Sequence, residues 1–130
     1  MRKPTWRADL AAYLAGIAGV AYRPGRHDCA LFVAGAVKVM TGTDHARGWR
    51  SKYRSIKRGQ VMLRDRGFDG HVGFVAAHYP EVAPILAQAG DIAVIDGDNL
   101  GVVQGAGVYV LRPDGLGIVP LTAAERAFRV

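Results

Sequence analysis

The residue pattern changes at Gly90 and divides the chain into a helical part and a β part. Before Gly90, apolar residues recur at helical spacing, which predicts helices over about 5–18, 29–40, 61–66 and 80–88. The polar stretch 43–60 predicts a loop with a short helix. After Gly90, short apolar runs between turn residues predict strands over 92–95, 100–103, 107–111 and 117–119. The order predicts an α+β domain, with N-terminal helices packed on a small antiparallel β-meander.

Length and composition limit the kinds of protein that this chain can be. Its 130 residues suit one domain and are too few for two, so we expect a single domain over 1–130. Half of the residues are apolar, which excludes general disorder. One cysteine excludes an intramolecular disulfide, and four scattered histidines lack the spacing of a zinc site. We therefore expect neither a metal nor a cofactor.

The only cysteine lies in the stretch Arg26-His27-Asp28-Cys29-Ala30-Leu31-Phe32, directly behind an aspartate of the kind that caps helices. A thiol in the first turn of a helix faces the positive end of the helix dipole, which lowers its pKa and favours the nucleophilic thiolate. The same pattern fits a cysteine that is a small core residue. Cys29 shares one helical face with Phe32, Val33, Ala36, Val37 and Met40. A partner base decides between a catalytic and a core thiol.

Basic residues are concentrated in residues 47–66, which we name the basic segment. It holds eight basic residues and one acid, a net charge of +7, whereas the whole chain carries +6. Such a segment suits nucleic acid, an anionic cell-wall polymer or an acidic neighbour in an assembly, and it is also typical of a solvated face. Its two aromatic residues are too few for single-strand stacking, which disfavours nucleic acid. The predicted interaction patch comprises Arg47, Arg50, Lys52, Arg54, Lys57 and Arg58.

The amino terminus imitates a signal peptide, because basic residues precede an almost wholly apolar run from Leu10 to Ala21. Asp9 interrupts the start of that run, and the stretch Thr5-Trp6-Arg7-Ala8-Asp9 is typical of a capped helix start. No segment has the roughly 18 apolar residues that a bilayer span needs. We therefore expect an unprocessed protein, made in the cytoplasm, without a membrane span.

Several motifs resemble known families. The Asp28-Cys29 helix start, the segment Ala89-Gly90-Asp91-Ile92-Ala93-Val94-Ile95 and the glycine-containing hairpin after it resemble the NlpC/P60 family. Those proteins are papain-like cysteine peptidases that cut peptidoglycan stem peptides. Over nearly its whole length the chain also resembles a small phage and prophage family related to NlpC/P60 and met among tail genes. The shared stretches are the Gly-Arg-His-Asp-Cys-Ala-Leu-Phe start, Arg50-Ser51-Lys52-Tyr53-Arg54 and the Gly-Leu…Val-Pro-Leu ending.

The second resemblance implies a virion protein of the phage tail tip or baseplate. Its partners would then be other phage tail or baseplate proteins, with peptidoglycan as a further candidate partner.

The resemblance to NlpC/P60 enzymes breaks at the general base, which there is the His of a His-Val-Gly-Ile-Tyr-type strand. Alignment on the Gly90-Asp91 turn places Asn99 at that position, and asparagine cannot take a thiol proton. Loss of a base lowers the rate by about 10²–10⁴-fold, which helix-dipole assistance of about 1 kcal/mol does not recover. Two histidines are candidate substitutes: His27, two residues before Cys29, and His71, which begins a His-Val-Gly-Phe sequence but is expected in a loop between helices.

Three functions remain as hypotheses. The first is a structural component of a phage tail tip or baseplate, built on a degenerate NlpC/P60-like domain that lacks the usual catalytic His. The alternative is an active peptidoglycan-cleaving cysteine hydrolase, with Cys29 as nucleophile and His27 or His71 as base. A nucleic-acid-binding module is the least supported. Because function is argued from the site, the side chains next to the Cys29 sulfur decide between the first two.

Overall fold

The computed structural model describes residues 1–130 and contains four α-helices and six strands. The helices are α1 (Trp6–Ile17), α2 (Cys29–Thr41), α3 (Ile56–Asp65) and α4 (Gly70–His78). The strands are β1 (Glu81–Val82), β2 (Ile92–Ile95), β3 (Asn99–Gln104), β4 (Gly107–Arg112), β5 (Gly115–Pro120) and β6 (Arg126–Phe128). None of the four helices has the length and apolar character that crossing a bilayer requires. The predicted α+β class is confirmed.

All six strands form one antiparallel sheet in the order β1-β6-β2-β3-β4-β5. Strands β2 to β5 follow one another as hairpins and form the meander that the turn residues predict. Strand β6 comes from the carboxyl end of the chain and lies between β1 and β2, where Phe128 pairs with Glu81 on one side and Ile92 on the other. The C-terminal residues are therefore an internal part of the sheet.

The helices between α2 and the sheet differ from the sequence-based prediction. Helix α3 begins at Ile56 rather than near Val61, because the Ser55 hydroxyl caps it by accepting a hydrogen bond from the Arg58 N–H at 3.1 Å. Helix α4 is not predicted, since its two glycines and its valines have low helix propensity.

The helix predicted over 80–88 is wrong. Strand β1 and a 3₁₀ turn, Pro84–Leu86, occupy these residues instead. Proline has no N–H group and clashes inside a helix, so the two prolines of this stretch keep it from continuing as one.

Local interactions fix both ends of α2. Asp28 caps the first turn, since its carboxylate accepts a hydrogen bond from the Leu31 N–H at 2.9 Å. Gly42 ends the helix in the left-handed conformation, with φ of 86°, and its N–H donates to the Lys38 carbonyl. Cys29 is therefore the first residue of the helix, as the sequence predicts.

The main core lies between one face of the sheet and helices α1 and α2. The helix face predicted for α2 is the buried one, and Phe32 and Met40 on it are fully enclosed. A smaller cluster of apolar residues covers the other face of the sheet beneath the loops near Ala87, Leu121 and Ala124. Helices α3 and α4 pack on each other. Their position sets what lies next to Cys29.

Candidate functional site

Asp28 is a buried carboxylate beside the thiol, with 1% of its surface exposed. Besides the Leu31 N–H, it accepts hydrogen bonds from the Gly25 N–H at 2.9 Å and from the Tyr53 hydroxyl at 2.6 Å. Three donors offset the hydration that burial removes from a carboxylate. Asp28 therefore joins the turn before α2, the helix itself and the basic segment around Cys29.

The surroundings of Cys29 oppose the thiolate. The residue is half-buried, and burial is the main cause that raises the pKa of its thiol from 9.0 to about 11. The charges of Asp28 and Asp98 raise this pKa as well, whereas hydrogen bonds from the backbone at Leu100 and Ala30 lower it. The pKa lowering that the helix dipole predicts is wrong here, because desolvation outweighs a dipole effect of about 1 kcal/mol.

His71 brings an imidazole to the thiol. Its Nε2 atom lies 4.0 Å from Cys29 Sγ, and 9% of the residue is exposed. His71 is the second residue of α4, so the predicted loop position is wrong. Because α4 packs on α3, the Gln60 side-chain amide reaches the other ring nitrogen, Nδ1. The structure thus brings together a cysteine, a histidine and a glutamine from three helices.

The protonation of His71 follows from its partners. Nε2 contacts the backbone carbonyl oxygen of Asp98, and a carbonyl oxygen only accepts hydrogen bonds, so Nε2 carries a proton. In the neutral ring the lone pair is then on Nδ1, where it accepts from the Gln60 amide. Turning the Gln60 amide over would place its oxygen against Nδ1, and a neutral ring would then carry its proton on Nδ1 and its lone pair on Nε2. The Asp98 carbonyl oxygen opposes that arrangement, because it cannot donate to a lone pair on Nε2. With the proton on Nε2, the imidazole presents no lone pair to Cys29.

The other two sequence candidates contribute differently. Asn99 is the first residue of β3 and lines the same cavity as Cys29, and its side chain forms no hydrogen bond with the thiol. His27 packs edge-on against the Phe32 ring, with 6.4 Å between ring centroids, and its buried Nε2 has no hydrogen-bond partner. Burial lowers the pKa of His27 against the opposing charge of Asp28, which favours the neutral ring. His27 is thus a packed residue beside the site.

A cavity of about 290 Å³, which we name the thiol cavity, lies beside Cys29. Its polar lining includes Cys29, His71, Gln60 and Asn99. The rest is mainly apolar and comes largely from α2, the basic segment, α4 and the sheet, with Val33, Val37, Ile56, Leu63, Phe74, Val75, Ile92, Leu100 and Leu111 among the lining residues. Its volume is about twice that of an engineered cavity of about 150 Å³ that holds benzene. The site can therefore enclose an apolar group next to the thiol.

All eight basic residues of the basic segment are exposed. Arg50 is paired with Asp44 through two hydrogen bonds of 2.8 and 2.9 Å, and Arg66 lies over the Trp49 ring, 4.6 Å from its centroid. The other six form no ion pair: Arg47, Lys52, Arg54, Lys57, Arg58 and Arg64. Of the predicted interaction patch, only Arg50 is neutralised within the chain.

A family model described as "Domain of unknown function (DUF6950)" matches residues 1–130. The chain belongs to this family. No curated protein matches it. The match spans Asp28, Cys29, Gln60, His71 and Asn99, so the whole candidate site lies within the DUF6950 domain.

Sequence reasoning misses three groups of this DUF6950 site. Gln60 and the Asp98 carbonyl set the tautomer of His71, and the Tyr53 hydroxyl holds Asp28. Gln60 stands in a polar stretch without any motif, and every residue has a backbone carbonyl, so neither group carries a sequence signal. Tyr53 does carry one, because it is an aromatic residue between basic residues, and the structure buries it.

Proposed function

We propose that this protein is a structural component of a phage tail tip or baseplate, built on an NlpC/P60-like domain that does not catalyse. The observation that carries the proposal is the contact between His71 Nε2 and the Asp98 carbonyl oxygen, which the ring makes as a donor with its proton on Nε2. An imidazole held in this way cannot accept the Cys29 proton, and the general base of the hydrolase mechanism is then missing.

The thiol itself supports the same proposal. With a pKa of about 11, only about one thiol in 10⁴ is ionised at pH 7. Asn99, at the position where the resemblance expects the general base, has no group that titrates. Neither partner of a cysteine–histidine pair is thus in its reactive form.

The basic segment supports a role in an assembly. Six exposed basic side chains without acidic partners repel one another, and an acidic neighbour would neutralise part of that charge. The resemblance to a family met among tail genes points to tail proteins as those neighbours. Localisation in the virion follows from this proposal.

Virions of a phage that encodes the chain test the proposal directly. Quantitative mass spectrometry of purified tails should find the protein at a fixed copy number, and a phage carrying Cys29→Ala should assemble and infect as the wild type does. Phe128→Ala, which removes a fully buried side chain, is the control that shows the assay responds to loss of the fold. Absence from the virion, or loss of infection with Cys29→Ala alone, would contradict the proposal.

A cysteine hydrolase that cleaves peptidoglycan is the second candidate, and the distance of 4.0 Å between Cys29 Sγ and His71 Nε2 favours it. Catalysis would require His71 to leave the Asp98 carbonyl and turn a lone pair toward the thiol. Incubation of the purified protein with purified peptidoglycan, followed by an assay of released amino groups, tests this candidate. It is supported if Cys29→Ala and His71→Ala both abolish release while His27→Ala retains it. It is rejected if the wild-type protein releases nothing.

A further inference from the structure

The thiol cavity opens to solvent between the turn before α2 and the start of α3. Two of its lining residues are large apolar side chains that remain exposed, Tyr22 at 39% and Ile56 at 36%. The other apolar lining residues are buried, such as Val33 and Val75, or half-buried, such as Phe74. The exposed pair therefore marks the mouth of the cavity.

Basic residues flank both sides of this mouth. Arg23 and Arg26 adjoin Tyr22 in the turn before α2, and the basic residues next to Ile56 are Arg54, Lys57 and Arg58. All five are exposed, and none forms an ion pair.

Two acidic residues line the cavity. Asp28 is buried and bonded to three donors, whereas Asp98 is exposed and sets one carboxylate against the five basic residues. An apolar interior with a net positive surround is complementary to a ligand that has an apolar chain and a negative head group.

We propose that the thiol cavity binds a small anionic amphiphile, namely a carboxylate with an apolar chain of about eight carbons, which is larger than benzene and fits a cavity about twice the benzene-holding size of about 150 Å³. The chain lies against the apolar lining residues, and the carboxylate remains at the mouth among the flanking basic residues. This binding goes beyond the structural role proposed above and needs no reaction at Cys29. Its presence or absence is therefore independent of whether the protein is found in virions.

Nuclear magnetic resonance titration of the full-length protein with octanoate, 1-octanol and acetate separates the two parts of the proposal. Octanoate should bind, acetate should not, and 1-octanol should bind roughly five- to tenfold more weakly than octanoate at low salt. High salt should remove this difference, because the charges at the mouth are exposed and screened.

Two variants and a matched control locate the binding. Ala34→Leu places extra volume on a half-buried lining residue and should abolish binding of both octanoate and 1-octanol. Arg26→Glu/Lys57→Glu should remove only the preference for octanoate. Arg7→Glu/Lys38→Glu makes the same change of charge at exposed residues that do not adjoin Tyr22 or Ile56 in the chain, and it should keep the preference.

Three outcomes would overturn the proposal: no binding of octanoate by the wild type, equal affinity for octanoate and 1-octanol at low salt, or unchanged binding in Ala34→Leu. Arg26→Glu/Lys57→Glu alters exposed side chains only, so it still tests the proposal if Ala34→Leu fails to fold.

Discussion

At the scale of single residues, Cys29 shows two opposing effects on one thiol. The first turn of a helix favours a thiolate by about 1 kcal/mol, whereas removal from water disfavours it by more. The second effect dominates here, because the cavity around the sulfur is mainly apolar and the nearest carboxylate, Asp28, is negative. A position at a helix N-terminus is therefore insufficient evidence for a reactive cysteine.

The raised pKa of Cys29 predicts a loss of stability at alkaline pH. Below pH 9 the thiol is protonated in both the folded and the unfolded chain, so burial of the neutral thiol contributes fully. Between pH 9 and 11 the unfolded chain ionises first, and the free energy of unfolding should fall by about 2 kcal/mol from this group. Urea unfolding of wild type and Cys29→Ala at pH 8 and pH 10.5 measures the difference.

The comparison with Cys29→Ala removes the contribution of other groups. Burial also raises the pKa of Tyr13, to about 12, and of Tyr53, and both tyrosines are present in both proteins. The wild type should therefore lose more stability than the variant between the two pH values. Equal losses in the two proteins would show that the Cys29 thiol is not desolvated in the folded chain.

The hydroxyl of Tyr53 predicts a second effect at the residue scale. It donates to the buried Asp28 carboxylate at 2.6 Å, so Tyr53→Phe leaves a charged acceptor with one donor fewer. We expect the free energy of unfolding to fall by about 1.5–3 kcal/mol, as measured in urea. Tyr109→Phe is the matched control, because that half-buried tyrosine makes no hydrogen bond through its hydroxyl, and its change should stay within about 0.5 kcal/mol. Similar losses in both variants would contradict a supporting role for the hydroxyl.

At the scale of elements, the basic segment should act on association and not on folding. Arg54→Glu/Lys57→Glu/Arg58→Glu reverses three unpaired charges, and it should reduce incorporation into virions without lowering the stability of the isolated protein. Arg50→Glu is a useful contrast, since Arg50 is already paired with Asp44 and contributes less free charge. Incorporation is measured by mass spectrometry and stability by urea unfolding. Normal incorporation of the triple variant would show that the segment is only a solvated face.

The elements that the sequence predicts are those with local signals. Helix α2 has its cap, its apolar face and its terminal glycine within one short stretch, and the β2–β5 meander has turn residues between its strands. Strands β1 and β6 have only two and three residues, and they pair with segments far away in the chain. No local pattern carries that pairing, which explains why both strands escape prediction.

The same reasoning explains how much of the site is predictable. Asp28 and Cys29 are adjacent and have a helix-start pattern, so their geometry follows from the sequence. The contact of Cys29 with His71 depends on how α3 and α4 pack, and 42 positions separate the two residues. Residue types alone therefore suggest the imidazole as a candidate but give neither its distance nor its tautomer.

At the scale of the whole molecule, one ion pair with a buried carboxylate joins both ends of the chain to the sheet. Arg2 donates to Asp91 at 3.0 Å, to the Ala89 carbonyl at 2.7 Å and to the Val130 carbonyl at 3.2 Å. Asp91 in turn accepts from the backbone N–H groups of Gln88 and Val130. The side chain of Asp91 is only 1% exposed, so its charge depends on these donors.

Arg2→Ala should therefore lower the free energy of unfolding by about 1.5–3 kcal/mol, because the buried carboxylate loses its nearest charged donor and keeps only Arg129, at 4.0 Å, as a cation. Arg126→Ala is the matched control: Arg126 also joins distant segments, through Glu81 at 2.8 Å, but both side chains of that pair are more than 40% exposed. An exposed pair contributes about 0–1 kcal/mol, so the control should lose little. Urea unfolding monitored by tryptophan fluorescence measures the stability of both variants. Equal losses of unfolding free energy would mean that the Arg2–Asp91 pair does not hold the two ends of the chain against the sheet.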